Sequence, residues 1–226
     1  MPREKPSKGT CEYCKSEISK SGATNHLKHC QGRGAAIEDA ERGKLKVETL
    51  FHIRIQDAWK KEFWLDLEMR GSSDLESLDR YLRYIWLECC DHLSEFRMGG
   101  RRGEEMSMDL EASKALHMGD KLTHIYDFGT SSETMIKVVG LRQGKLTTAH
   151  PLALMARNLI PEYKCIECDE SATQFCMECL IEDNIWRTLC EQNAKTHPHS
   201  NYDTVSLVNS PRMGMCGYGG PAKPPY

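Results

Sequence analysis

The segment Cys11-Glu-Tyr-Cys14, followed by His26-Leu-Lys-His-Cys30, reads C-x2-C-x11-H-x3-C. Thiolate and imidazole are the donors zinc prefers, and a two-residue gap is the spacing at which one turn presents both thiolates. A single helical turn would carry His26 and Cys30 on one face. Four ligands close the coordination sphere, so the ion expected here is structural rather than catalytic. Ile18 and Leu27 supply a small core, and His29, next to Cys30, points elsewhere on the helix. A finger of this size owes its fold to its metal, so replacing Cys11 or His26 is expected to unfold the finger alone. Residues 1–34 hold seven Lys/Arg against three Asp/Glu, a local charge of +4. Lys15, Lys20, Lys28 and Arg33 surround the ligands and are the candidate contacts to RNA or DNA phosphates or to a ribonucleoprotein. The other readings of that patch are a solvated basic surface and a protein-binding finger.

A second cluster reads Cys165-x2-Cys168-x7-Cys176-x2-Cys179-x10-Cys190-x2-Asn193-x3-His197-x-His199. It resembles the B-box class of cross-braced zinc modules. That resemblance implies one site made of Cys176, Cys179, His197 and His199. It implies a second, incomplete site made of Cys165, Cys168 and Cys190, because Asn193 stands where a Cys or His is expected. An amide is a poor zinc ligand, which leaves Cys216 as the best free candidate for the fourth position. Two or three structural zinc ions per chain are therefore expected. A three-ligand zinc is what a hydrolase uses, but no Glu stands in a metalloprotease or deaminase motif.

The elements between these clusters must position them. The chain has 226 residues, 39% of them hydrophobic, and a net charge of −3, which argues against nucleic-acid binding through bulk charge. No run approaches a membrane span, and the first residues lack a secretory apolar stretch, so a cytoplasmic protein with reduced thiols and no membrane partner is expected. Nine of eleven cysteines lie in the two ends; Cys89 and Cys90 read as a core position beside an exposed one. Phe51, Ile53 and Ile55 alternate, as do Phe63, Leu65, Leu67 and Met69, which predicts two strands. Ser73 with Glu76 suggests a capping box, ahead of a helical stripe of Leu75, Leu78, Leu82, Ile85 and Cys89. Further strands are expected near His92–Met98, Lys121–Tyr126 and Met135–Leu141, with a short helix over Asp109–Leu116. The expected fold is α+β, a small mixed sheet with packed helices flanked by two zinc-binding modules. Its parts are a finger with a basic arm at 1–34, a linker at 35–46, the α+β domain at 47–141, a connector at 142–163, the zinc module at 164–220 and a disordered tail at 221–226.

His92-Leu-Ser-Glu-Phe96 and Tyr126-Asp-Phe-Gly129, behind a helix rich in Leu and Tyr, resemble the root-inducing-plasmid Orf-three-like family (pRiA type). Asn209-Ser-Pro-Arg-Met-Gly-Met-Cys-Gly-Tyr218 resembles the C-terminal extension of a zinc-bearing subgroup. The resemblance implies an α+β domain found on plasmids and mobile elements. Family members often continue after Tyr-Asp-Phe-Gly with Asp, Trp and His, whereas this chain continues Thr130-Ser-Ser-Glu133, so an activity built on that Asp and His is not expected. His92, Glu95 and Asp127 either line a shared pocket or are turn and strand surface. The favoured function is a non-enzymatic adaptor that grips nucleic acid or a ribonucleoprotein through the finger while the core binds a partner. The alternatives are a protein scaffold acting through the B-box-like module and a mobile-element nucleic-acid enzyme.

Overall fold

The computed structural model describes residues 7–199 and 204–226; residues 1–6 of the arm expected at 1–8 lie outside them, and Lys8 begins a strand. Two short strands, β1 (Lys8–Cys11) and β2 (Glu17–Ser19), are followed by helices α1 (Ala23–His29) and α2 (Gln31–Arg42). The body then runs β3 (Glu48–Asp57), β4 (Trp64–Arg70), α3 (Leu75–Leu82), β5 (Ser94–Met98), β6 (Glu105–Met106), α4 (Ala112–Ala115), β7 (Lys121–Tyr126), β8 (Ser132–Gly144) and β9 (Leu152–Asn158). The C-terminal part holds β10 (Gln174–Cys176), α5 (Met177–Glu182), β11 (Thr188–Leu189), α6 (Glu191–Thr196) and β12 (Thr204–Ser206).

Nine strands form one sheet in the order β2-β1-β9-β4-β3-β8-β7-β5-β6. Every pairing in it is antiparallel. The expectation of a small mixed sheet is thus corrected. Strand β9 lies inside the segment read as a connector, and it pairs with both β4 and β1. Its alternation is weak because Leu152, Ala153, Met155 and Ala156 are buried on both faces, so no period of two marks it as a strand. The segment read as a linker is mostly α2, and Tyr226 of the expected disordered tail stacks on His150 at 3.9 Å and meets Tyr81 edge-on.

The pairing of β3 with β4 sets the two faces of the sheet. Phe51 opposes Met69, Ile53 opposes Leu67 and Ile55 opposes Leu65, all pointing one way. Leu75, Leu78, Leu82, Ile85 and Trp86 pack onto this face. Asp74, not Ser73, caps α3: its carboxylate accepts from the Ser77 N–H at 2.8 Å, while the Ser73 hydroxyl turns toward the Pro151 carbonyl. A π-helical turn at Arg83–Leu87 ends the helix and drives Trp86 and Leu87 into the core.

The opposite face carries charge. His52 and Arg54 both bond Asp66, at 2.6 and 2.9 Å. Arg33 and Arg142 clamp Glu68, whose side chain is 1% exposed. Arg54 also reaches the Lys20 carbonyl and the Thr24 hydroxyl. The N-terminal helices therefore sit on this face through buried ion pairs and hydrogen bonds.

Candidate metal centres

The N-terminal ligands come from three local elements. Cys11 ends β1, Cys14 lies in the turn toward β2, His26 projects from α1, and Cys30 joins α1 to α2. Their donor atoms lie within 4.8 Å of one another. The Cys11 and Cys30 sulfurs are 3.9 Å apart, and Cys14 Sγ is 3.4 Å from His26 Nε2. Zinc bonded tetrahedrally to sulfur at about 2.3 Å and nitrogen at about 2.0 Å separates two sulfurs by about 3.8 Å and a sulfur–nitrogen pair by about 3.5 Å. The residues present fit that ion. Hydrogen bonds from the Ser16 hydroxyl and backbone lower the Cys14 thiol to about 6, which favours the thiolate a metal needs. His29 is used elsewhere, its Nδ1 2.9 Å from the Asn25 carbonyl.

This unit is joined to the body. Strand β1 pairs with β9 at Gly9–Asn158, Thr10–Arg157 and Cys11–Ala156. A Cβ at Gly9 would fall 2.3 Å from the Arg157 carbonyl and 2.5 Å from Trp64, so only glycine allows this approach. Cys11, Ile18, Ala23, Leu27 and Cys30 share a core with Trp64, Met155 and Ala156.

The C-terminal donors fall into two groups. Cys176, Cys179, His197 and His199 lie within 4.8 Å of one another, and so do Cys165, Cys168 and Cys190. Cys176 Sγ to His199 Nδ1 is 3.4 Å and Cys179 Sγ to His197 Nε2 is 3.3 Å, again the separations a tetrahedral ion imposes. In the second group the Cys168 and Cys190 sulfurs are 3.6 Å apart, and the Asn193 amide stands 3.3 Å from Cys165 Sγ. Burial raises the Cys165 thiol, but N–H groups of Cys190 and Glu167 and the Asn193 amide together bring it down to about 6. Thiolate pairs gathered in a turn explain the local folding: the Cys176 and Cys190 sulfurs cap α5 and α6 by accepting from the Cys179 and Asn193 N–H groups. The small sheet β11-β10-β12 ties the two groups together.

Cys216 does not complete the three-cysteine group. The segment 209–216 runs between the module and the body: Met213 packs with Phe175 and Met177 of the module, and its neighbours bond the body. Ser210 Oγ donates to the Trp86 carbonyl at 2.6 Å, and Arg157 and Lys60 donate to the carbonyls of Asn209 and Pro211. Cys216 Sγ consequently stands 3.8 Å from His92 Nε2. Tyr126 and Ser94, from the two family-like segments, oppose each other on β7 and β5. Asp127 Oδ1 accepts from the Gly129 and Thr130 N–H groups. Glu95 bonds Arg97 and does not join His92 and Asp127 in a pocket.

Two of the four candidate phosphate contacts are engaged internally. Arg33 donates to Glu68 and to the Leu27 carbonyl, with its side chain 13% exposed. Lys20 donates to the Lys61 carbonyl, and burial together with the neighbouring Arg54 lowers it to about 8. Lys28 faces solvent, and Lys15 does so while paired with Glu12. Sequence gave no sign of this because the partners lie 35 and 41 residues away.

No helix among the described residues is long and apolar enough to cross a membrane. No family model matches the chain, and no curated protein matches it. The crystal structure of a protein of unknown function, MM3350 from Methanosarcina mazei Go1, is similar over 50% of this chain and 70% of that one, with 15% identity and a TM-score of 0.43.

Proposed function

We propose that this chain is a non-enzymatic adaptor held in shape by two or three structural zinc ions, with the C-terminal module as its contact for a protein partner. The observation that carries the reading is the donor chemistry: two full Cys/His sets would leave no open coordination position on an ion, and in the three-cysteine group the Asn193 amide N–H donates to Cys165 Sγ. Ligand thiolates need a reducing compartment, and the cytoplasm fits.

The choice of partner follows from charge and exposure. Residues 164–226 hold five basic and eight acidic side chains, which repel phosphate. Of the five, Arg212 is buried and Arg187 faces Glu167. Ile166, Ile181 and Ile185 are 56%, 70% and 39% exposed on the same module, each close in sequence to a ligand that fixes it. A nucleic-acid reading is left with Lys15 and Lys28.

Metal analysis of the purified chain should find at least two zinc ions. In a crosslinked pull-down, the bound partner should survive nuclease. Replacing Ile166, Ile181 and Ile185 with Ser should remove it while zinc is retained. A partner that disappears with nuclease and persists in the triple variant overturns the reading in favour of nucleic acid.

A further inference from the structure

The body itself carries a thiol cluster outside the two terminal modules. Cys89 and Cys90 follow the π-helical turn, His92 precedes β5, and Cys216 arrives in the short turn Met215–Gly217. The three sulfurs and the imidazole nitrogen lie within 4.8 Å of one another, although Cys216 is 124 residues from His92. We propose that Cys89, Cys90, His92 and Cys216 form a further metal site, taking zinc or another thiophilic ion, that clips the segment 209–217 onto the sheet.

Three features beyond the cluster support it. The first is a buried cation. The Arg212 side chain is 0% exposed; its guanidinium donates to Cys89 Sγ at 3.3 Å and to Cys216 Sγ at 3.5 Å. The same group is fixed by Asp127 at 2.7 Å, by the Thr130 carbonyl and Ser132 hydroxyl, and by the face of Tyr126. An ion of charge +2 with three thiolates and a neutral imidazole carries one net negative charge, which this guanidinium faces. Hydrogen bonds from outside the ligand set that orient the sulfurs are what a metal site requires.

The second feature is backbone conformation. Cys216 has φ 51° and Asp91, between Cys90 and His92, has φ 55°. Both lie in the left-handed region, which a β-carbon disfavours and which persists when surrounding contacts enforce it. These two positions aim the sulfur of Cys216 and the ring of His92 at one point.

The third is exposure. Cys90 and Cys216 are exposed while Cys89 and His92 are half-buried, so the site sits at the surface and an ion can enter. Ligation displaces the thiol protons to water, because only thiolate binds. His92 Nε2 also lies 3.5 Å from Asp127 Oδ2, the carboxylate that Arg212 holds.

The full chain is purified under reducing conditions and loaded with zinc, and cysteine alkylation is mapped by mass spectrometry with and without a chelator. Cys90 and Cys216 are exposed, so as free thiols they react whether or not zinc is present. The proposal expects their alkylation to slow by at least about tenfold with zinc and to recover on chelation. Native mass spectrometry gives the second reading. The Cys90→Ser/Cys216→Ser variant should bind one ion fewer than the parent while both full terminal sets keep theirs. Unchanged alkylation with zinc overturns the proposal, as does an equal ion count in a folded variant. A Cys90–Cys216 disulfide in the zinc-loaded reduced chain also overturns it. If the variant fails to fold, the alkylation of the parent chain decides.

Discussion

The two ends of the chain carry similar donor sets in different surroundings. At the N-terminus, Cys11 is the last residue of a strand that extends the nine-stranded sheet, and Trp64 of the body completes the small core around the ligands. At the C-terminus, two ligand groups and a three-stranded sheet form a unit with its own core, Cys165, Cys176, Cys179, Leu189, Cys190 and Ala194. That unit reaches the body mainly through the segment after it, at Asn209 to Cys216. The same chemistry thus does two jobs. A metal held at the first would secure the edge of a large sheet; one held at the second would tie together a module whose apolar core is small, Phe175, Met177 and Met213 with Leu180, Trp186 and Val205 around them.

The largest expected effect separates these jobs. Cys11→Ser removes a ligand and frees β1, so the edge of β9 loses its partner and Trp64 loses its cover. The expected result is lost amide-exchange protection in Leu152–Asn158 as well as in the finger, against the sequence-based expectation that the finger unfolds alone. Cys176→Ser should unfold the C-terminal module and leave β9 protected. Structural zinc contributes roughly 10 kcal/mol or more of folding free energy in small modules, so either loss should be complete for its own unit. Protection of β9 that survives Cys11→Ser would show that the two ends are equally detachable.

A smaller effect concerns what holds the finger to the sheet apart from pairing. Glu68 lies between Arg142 and Arg33, both bonded to it at 2.6–2.8 Å. Burial raises its carboxyl, and the two guanidinia outweigh that and hold it below its ordinary 4.5. Removing one member of a buried charge set costs about 3 kcal/mol, so Glu68→Gln should lower the unfolding free energy read from urea denaturation by that order without releasing zinc. The sign with pH follows from the lowered value. The carboxylate's contribution is complete above about pH 4.5 and is lost as pH falls through the lower folded value. Stability of the parent chain should therefore fall more steeply below pH 4.5 than that of Glu68→Gln. The C-terminal module has no equivalent carboxylate clamp among the described residues, so its own exchange protection should be indifferent to this substitution. Parallel acid profiles for parent and variant would remove Glu68 from the attachment.

What was legible in the sequence tracks how local each feature is. The Cys/His groups at both ends could be read because their members lie within a few turns of one another, and β3 and the stripe on α3 because Phe51, Ile53 and Ile55 alternate and Leu75, Leu78 and Leu82 recur at three and four. Strand β9 escaped because a strand buried on both faces does not alternate. The attachment of the finger escaped because Gly9, Trp64 and Arg157 meet only in the fold. Arg33 read as a surface cation, since nothing in sequence marks Glu68 as its partner. Cys216 was assigned to the nearest incomplete set, but Arg212 and Ser210, bonded to the body, carry it to His92 instead.

The smallest expected effect tests whether the difference between the ends extends to partners. Lys15 and Lys28 are the finger's remaining solvent-facing candidate contacts. Reversing both to Glu breaks only the exposed Lys15–Glu12 pair, and exposed pairs contribute about 0–1 kcal/mol. The double variant should therefore keep its zinc and change the unfolding free energy read from urea denaturation by less than about 1 kcal/mol, within what surface changes do. If the C-terminal module makes the partner contact, binding should also be unchanged and only weakly dependent on salt. Lys20 and Arg33 are left out of the variant deliberately, because replacing them would loosen the finger and confuse lost binding with lost structure. A steep fall of affinity with salt in the parent chain, abolished in the Lys15→Glu/Lys28→Glu variant, is the signature of counterion release from phosphates. That outcome would assign nucleic acid to the end fused to the sheet and leave the C-terminal module without the partner proposed for it.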